Sequence, residues 1–353
     1  MAPMTSRPLP EEDLLHVVKE VGEVWEELRG RTIFVTGATG FVGRWLLESL
    51  LAAHYTHGLD VQVVALSRDP DRFQGANPHL AVWSGLKWIH GSVATLTPAA
   101  LDFSIDLVIH LATEADHAAT LADPNAATEV IAGGTLRVLE AASRAGARRL
   151  LFTSSGSVYG PQPEDVTLIA EDNPLPAAGP GIRDAGTIGA EAKRQAERYC
   201  ADFTMKGRID AVIARCFTFA GPGLPVDGKF AFGNFMGDAL AGRRVTVRGN
   251  GTPVRSYMYG SDLAVWLWKL LIQGTAGGVY NVGSEHAICL QELAESIASE
   301  LGAPGVEVMQ QRVSGDRTDC YVPSTQRVRG QLGLQETVGI RQAIHKTADW
   351  LRH

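Results

Sequence analysis

The chain has 353 residues, 45% of them hydrophobic and 20% charged, and carries a formal charge of −7 at neutral pH. That length is enough for one large or two modest cores, and an acidic surface offers no positive field to gather nucleic acid or anionic lipid. The expected partner is a small molecule, with no nucleic acid and no membrane; no apolar run reaches the length that spans a bilayer.

At the N-terminus, LPEEDLLHVVKEVGEVWEELRG places Leu14, Val17, Val18, Val21, Trp25 and Leu28 near helical spacing behind an acidic start, unlike a signal peptide. Residues 1–29 read as an accessory helix packed on the main domain. Short apolar runs then alternate with helical patterns: TIFVTG, FVGRWLLESLLAAHY, VQVVALS, SIDLVIHLA, EVIAGGTLRVLEAASRAG and RRLLFTSS. Runs that are apolar throughout, spaced by amphipathic helices, predict strands buried on both faces of a parallel sheet. The predicted fold class is α/β, a Rossmann-type doubly wound parallel sheet over residues 30–215.

Past residue 160 the rhythm breaks into a Pro- and Gly-rich stretch, GPQPEDVTLIAEDNPLPAAGPGIRDAG, followed by a helix through Lys193 and the strand DAVIARCFTF. Residues 216–353, with FGNFMGDALAG, RRVTVRGNG, DLAVWLWKLLIQ and LQELAESIASEL, predict mainly a smaller α+β substrate lobe, with the chain free to cross between lobes. A cleft between the two is the natural ligand site. Cys200, Cys216, Cys289 and Cys320 lie far apart, with no CxxC pair and no metal-ligand spacing. Free thiols, no metal site and a cytoplasmic location are expected.

TIFVTGATGFVGRWLLESLL sets Gly37, Gly40 and Gly43 at GxxGxxG spacing between a strand and a helix. Residues without Cβ let such a loop turn tightly and bring its backbone close to a pyrophosphate, which then lies over the positive end of the helix. In this context the triplet predicts dinucleotide binding. The second strand ends VVALSRDP, with Ser67 where an NAD-preferring domain usually carries an acid, and Arg68 next. An Arg can pair with a 2′-phosphate, so NAD and NADP both stay open.

With TGATGFVG, IHLAT, LFTSSGSVYG, KRQAE, IARCFTFAGP, GTPVRSYMYGSDLA and VYNVGSE, the chain resembles an extended short-chain dehydrogenase/reductase of the NAD-dependent nucleotide-sugar epimerase/dehydratase family, from about Arg31 to the C-terminus. The resemblance implies a nucleotide-diphosphate sugar as substrate and transient oxidation of a sugar hydroxyl. It also implies a tightly bound, recycled NAD or NADP and a homodimer. Phe41, Val42, Leu111 and Ala112 would join the glycines, Ser67 and Arg68 around the cofactor, and Thr113 and Ser157 would face the substrate. Ser155 matches the catalytic Ser/Thr, and Lys193 the catalytic Lys that also holds the nicotinamide ribose. On the substrate side Arg255 and Asn234 match groups that contact the diphosphate, and Arg317 is a weaker match at the nucleotide end.

The family's catalytic Tyr stands four residues before the Lys. Here that position is Gly189. Losing a positioned acid–base group costs about 10²- to 10⁴-fold in rate, so the role has passed to another group or turnover is lost. Tyr159, Glu191, Thr187 and Asp184 are the substitutes within reach of the motif, and Asp184 and Thr187 also suit a helix cap. Dehydratases of the family carry an Asp-Glu pair after the hydroxyl residue, and decarboxylases usually keep an acid at the second position. Gly156 and Ser157 disfavour both and leave epimerisation or simple redox. Ser92, Ile131 and Thr218 also depart from the usual residues. The competing expectation is a degenerate binding or partner subunit.

Overall fold

The computed structural model describes residues 7–114, 117–176, 184–228, 230–311 and 319–352. Helix α1 (Glu11–Val21) precedes strand β1 (Thr32–Thr36), helix α2 (Phe41–His57) and strands β2 (Gln62–Ser67), β3 (Leu86–His90) and β4 (Leu107–His110). Helix α3 (Gly134–Arg144), strand β5 (Arg149–Ser155), helix α4 (Ala185–Met205) and strand β6 (Asp210–Cys216) follow. The later chain adds α5 (Ala231–Leu240), β7 (Val254–Arg255), α6 (Gly260–Gln273), β8 (Val279–Val282), β9 (Ile288–Cys289), α7 (Leu290–Leu301), β10 (Cys320–Tyr321) and α8 (Ile340–Arg352).

Seven strands form one sheet in the order β8-β6-β5-β4-β1-β2-β3, and each neighbouring pair is parallel. The unbroken apolar runs are explained by two covered faces. Ile33, Val35, Val63, Ala65, Leu151 and Val212 join a core with Trp25, Trp45 and Trp268. Their neighbours in sequence, Phe34, Val64, Leu150, Phe152 and Ile213, face the opposite way onto Val138, Leu139, Ala196 and Cys200 of α3 and α4.

The expected N-terminal helix is present. It packs on α2 and α6, and Tyr259 donates to buried Asp13 at 2.6 Å while Lys346 reaches the same carboxylate at 2.8 Å. The strand β8, drawn from beyond residue 216, completes the main sheet at its edge. Outside that sheet β7 pairs antiparallel with β9 and parallel with β10, which sets Tyr321 beside Arg255 in register. Because β1 runs on to β2 on one side and its other neighbour β4 runs on to β5 on the opposite side, the connections leaving β1 and β4 diverge. The carboxyl ends of β1 and β4 therefore open a crevice, the place where doubly wound sheets hold ligands.

Candidate active site

Each glycine of the loop after β1 has a separate job. Gly37 has φ of +70°, and a Cβ there would stand 2.7 Å from the backbone of Leu111 and Ala112. A Cβ on Gly43, in the first turn of α2, would lie 2.5 Å from the carbonyl oxygens of Gly37 and Ala38. Gly40 is different: the nearest atom to its Cβ position is Gly37 O at 3.5 Å, so this face of the helix N-cap is open. It borders a cleft of about 440 Å³ whose walls include Gly37, Ser67, Arg68, Leu111, Ala112 and Thr113. The open glycine face, the helix N-terminus behind it and the cleft fit a dinucleotide pyrophosphate. Phe41, Val42 and Gly43 follow Gly40 into α2 and orient that N-terminus.

Ser67 is buried, and its hydroxyl accepts from Asp69 N at 3.1 Å, which shapes the turn after β2. Arg68 is exposed at the mouth of the cleft, and Arg72, one helical turn on, lines it too. Sequence reasoning missed Arg72, although its spacing from Arg68 was available as a signal. Beneath the loop His110 is fully buried between two threonines, with Nδ1 2.6 Å from Thr36 Oγ1 and Nε2 2.9 Å from Thr135 Oγ1. Thr135 donates to Ile131 O and Thr36 accepts from Ala112 N. That network assigns the ring proton to Nε2. Burial, aided by the charge of Lys193, pushes His110 down to about 3, so it is neutral.

The residues expected to be catalytic lie around the end of β5. Thr153 Oγ1 donates to His110 O at 3.2 Å, joining this strand end to the one that leads to Leu111. Lys193 is buried on α4, donates to Thr153 O at 2.7 Å and lies 4.7 Å over the Phe152 ring. Burial draws its ammonium down to about 8, with Cys216 and Glu197 opposing. Ser155 Oγ accepts from the backbone N and the hydroxyl of Ser157, at 3.1 and 2.9 Å. Behind these groups Arg215 makes a paired contact with Glu197, at 3.0 and 2.7 Å, and Ser154 donates to the same carboxylate at 2.5 Å.

Gly189 lies one helical turn before Lys193, and nothing stands within 4 Å of its Cβ position. Two of the nearby substitutes, Tyr159 and Asp184, are engaged elsewhere. Tyr159 donates its hydroxyl to Asn281 at 2.8 Å and lies under Arg215, and burial raises its pKa. Asp184 caps α4 by accepting from Thr187 N at 2.7 Å, as its place in the sequence suggested. Gly156 is tightly backed, since a Cβ would stand 2.6 Å from Phe217 Cζ and 2.7 Å from the hydroxyl of Tyr321. Nothing in the sequence marked Tyr321, because the pairing of β7 with β10 brings it in from far along the chain.

The residues expected at the diphosphate are engaged within the chain. Arg255 donates to Val254 O at 2.8 Å and Asp319 O at 2.9 Å, and it pairs with the exposed Asp319 carboxylate. Asn234 latches a loop through both amide atoms, to Gly228 N at 2.9 Å and Gly228 O at 2.7 Å. The sequence held no sign of Asp319 as a partner, because it lies 64 residues from Arg255 and meets it only in the folded lobe. Arg317 lies outside the described residues.

The fold and the strand-end chemistry define an enzyme class, and the chain belongs to the NAD dependent epimerase/dehydratase family, whose model matches residues 33–283. It is 31% identical to the UDP-glucose 4-epimerase of Mycolicibacterium smegmatis, over 90% of this chain and 98% of that one. It is 29% identical to UDP-glucuronic acid decarboxylase 6 of Arabidopsis thaliana, over 88% and 86%. Among solved structures it resembles a UDP-glucuronic acid 4-epimerase from Bacillus cereus in complex with UDP-glucuronic acid and NAD, with a TM-score of 0.76, 21% identity and coverage of 91% and 99%. No helix among the described residues is long and apolar enough to cross a membrane.

Proposed function

We propose that the protein is an NAD(P)-dependent nucleotide-sugar epimerase-like enzyme that transiently oxidises a sugar hydroxyl. The observation that carries this reading is the shared edge of the sheet. The parallel strands β1, β4 and β5 are neighbours, so the glycine loop, Leu111 and Ser155 follow at the same edge, and Thr153 ties that edge to His110 and to Lys193. A bound nicotinamide would take and return the hydride. Lys193, held by Thr153 O, would bind the nicotinamide ribose, and Ser155, polarised by two donors from Ser157, would bind the sugar hydroxyl. Arg255 and Asn234 would meet the diphosphate after exchanging partners with Asp319 and Gly228, and Thr113, on the cleft wall, would face the sugar. The absence of an acid at Gly156 and Ser157, and the crowding behind Gly156, favour epimerisation over dehydration or decarboxylation. A homodimer in the cytoplasm belongs to the same reading.

Product analysis after incubation with UDP-glucose, UDP-glucuronic acid and dTDP-glucose tests it. Formation of an epimer is expected; loss of water or carbon dioxide would move the enzyme to the other branches. The open space at Gly189 favours a second reading, a subunit that binds nucleotide sugar without turning it over. That reading requires binding of all components with the sugar recovered unchanged.

A further inference from the structure

We propose that Tyr321 supplies the active-site phenol that position 189 lacks, an inference that rests on the redox reading above. Three placements carry it. The hydroxyl of Tyr321 stands where a side chain on Gly156 would begin, 2.7 Å from that Cβ position and directly after Ser155. It also lies 3.5 Å from Cys216 O at the end of β6, and Cys216 is an electrostatic neighbour of Lys193, so the phenol and the ammonium flank one residue. The ring is fixed from two sides, packed at a tilt on Phe217 with centroids 4.6 Å apart and faced by Arg255 at 5.8 Å. Gly156 is then explained by space: any larger residue would evict the phenol. The pairing of β10 with β7 puts this ring beside Arg255, so one short sheet presents both a phenol and a diphosphate ligand.

The step balances as follows. The sugar carbon gives its hydride pair to the oxidised nicotinamide dinucleotide. The hydroxyl proton passes to Ser155 Oγ as the Ser155 proton passes to the Tyr321 phenolate, leaving a keto sugar, reduced cofactor and neutral phenol. On return to the other face of the carbonyl, hydride comes back from the cofactor and the phenol returns the proton through Ser155. Burial pushes Tyr321 up to about 12, and hydrogen bonding with Ser155 and the charge of Arg255 pull the other way. A positive nicotinamide acts in the same direction as these two. The oxidative rate should therefore rise through neutral and alkaline pH rather than level off there.

The test compares the full-length protein with Tyr321→Phe, using NAD and NADP with UDP-glucose, UDP-glucuronic acid and dTDP-glucose. Tyr321→Phe should slow single-turnover cofactor reduction by roughly 10²- to 10⁴-fold, with nucleotide-sugar affinity within about twofold and the alkaline rise removed. Adding Gly189→Tyr to that variant should restore reduction, because the space at residue 189 is open. An unchanged rate in Tyr321→Phe overturns the proposal and leaves the redox reading intact. A wild-type protein inert toward all three sugars counts against the redox reading. The phenol is then judged by a carbon-13 label on tyrosine Cζ, with Tyr321 assigned by its loss in the Phe variant. Its titration should move down by about one unit or more on adding NAD and up in Ser155→Ala. A Tyr321 titration that neither change moves overturns the proposal.

Discussion

His110 shows how a single buried residue couples the fold to pH. Its neutral ring ties the ends of β1 and β4 to α3. The folded value of about 3 is below the ordinary 6.5, so an unfolded chain binds a proton that the native chain refuses. Stability from this group is complete above the ordinary value and falls as pH drops from there toward the folded value, with a slope of about 1.4 kcal/mol per pH unit. Urea midpoints measured between neutral and mildly acidic pH should fall less steeply in His110→Asn than in wild type; equal slopes would remove His110 from this role. At the same scale, the sequence pointed to Ser155 and Lys193 through the family motifs SSGSVYG and KRQAE. Tyr321 and Asp319 were not marked, because each reaches its partner through tertiary pairing that no local pattern records.

At the scale of elements, the loop after β1 and the N-terminal helix make independent predictions. Gly43→Ala drives a Cβ into the carbonyls of Gly37 and Ala38, an overpacking that should cost about 1–3 kcal/mol. It should also displace the turn, so dinucleotide affinity measured by fluorescence titration should fall by at least about tenfold, or 1.4 kcal/mol. Gly40 tolerates a Cβ sterically, so Gly40→Ala should fold normally and lose affinity only through its contact with the ligand. Helix α1 is held by buried Asp13 between Tyr259 and Lys346. Asp13→Ala removes hydrogen bonds to a charged group and should cost about 2 kcal/mol, read as a lower urea midpoint with unchanged slope. Strands β1, β2, β4, β5 and β6 were readable because burial on both faces leaves an unbroken apolar run. The two- and three-residue strands of the later chain carry no such run, so their pairing had to come from the structure.

At the scale of the molecule, the order β8-β6-β5-β4-β1-β2-β3 decides where chemistry occurs. The glycine loop, the end of β4 and the end of β5 meet at one edge because strand order reverses beside β1. From the end of β2 the cleft is lined by Arg68 and Arg72 and by one acid, the helix-capping Asp69, a pattern suited to a ribose 2′-phosphate. NADP should accordingly bind at least as tightly as NAD, and Arg68→Ala should weaken NADP selectively; a selective loss of NAD would contradict that assignment. Family and crevice were legible in the sequence, whereas the substrate lobe's internal pairing and the source of the phenol emerged only with the fold.

The most direct measurement is a single-turnover absorbance scan of the reduced-nicotinamide band, with wild-type protein loaded with NAD or NADP and mixed with each of the three nucleotide sugars. A transient rise is expected with at least one sugar, decaying as hydride returns and an epimer forms. Tight binding of cofactor and sugar with no rise for any of them, together with a rise in Gly189→Tyr, would contradict it and identify a binding scaffold whose proton carrier is missing.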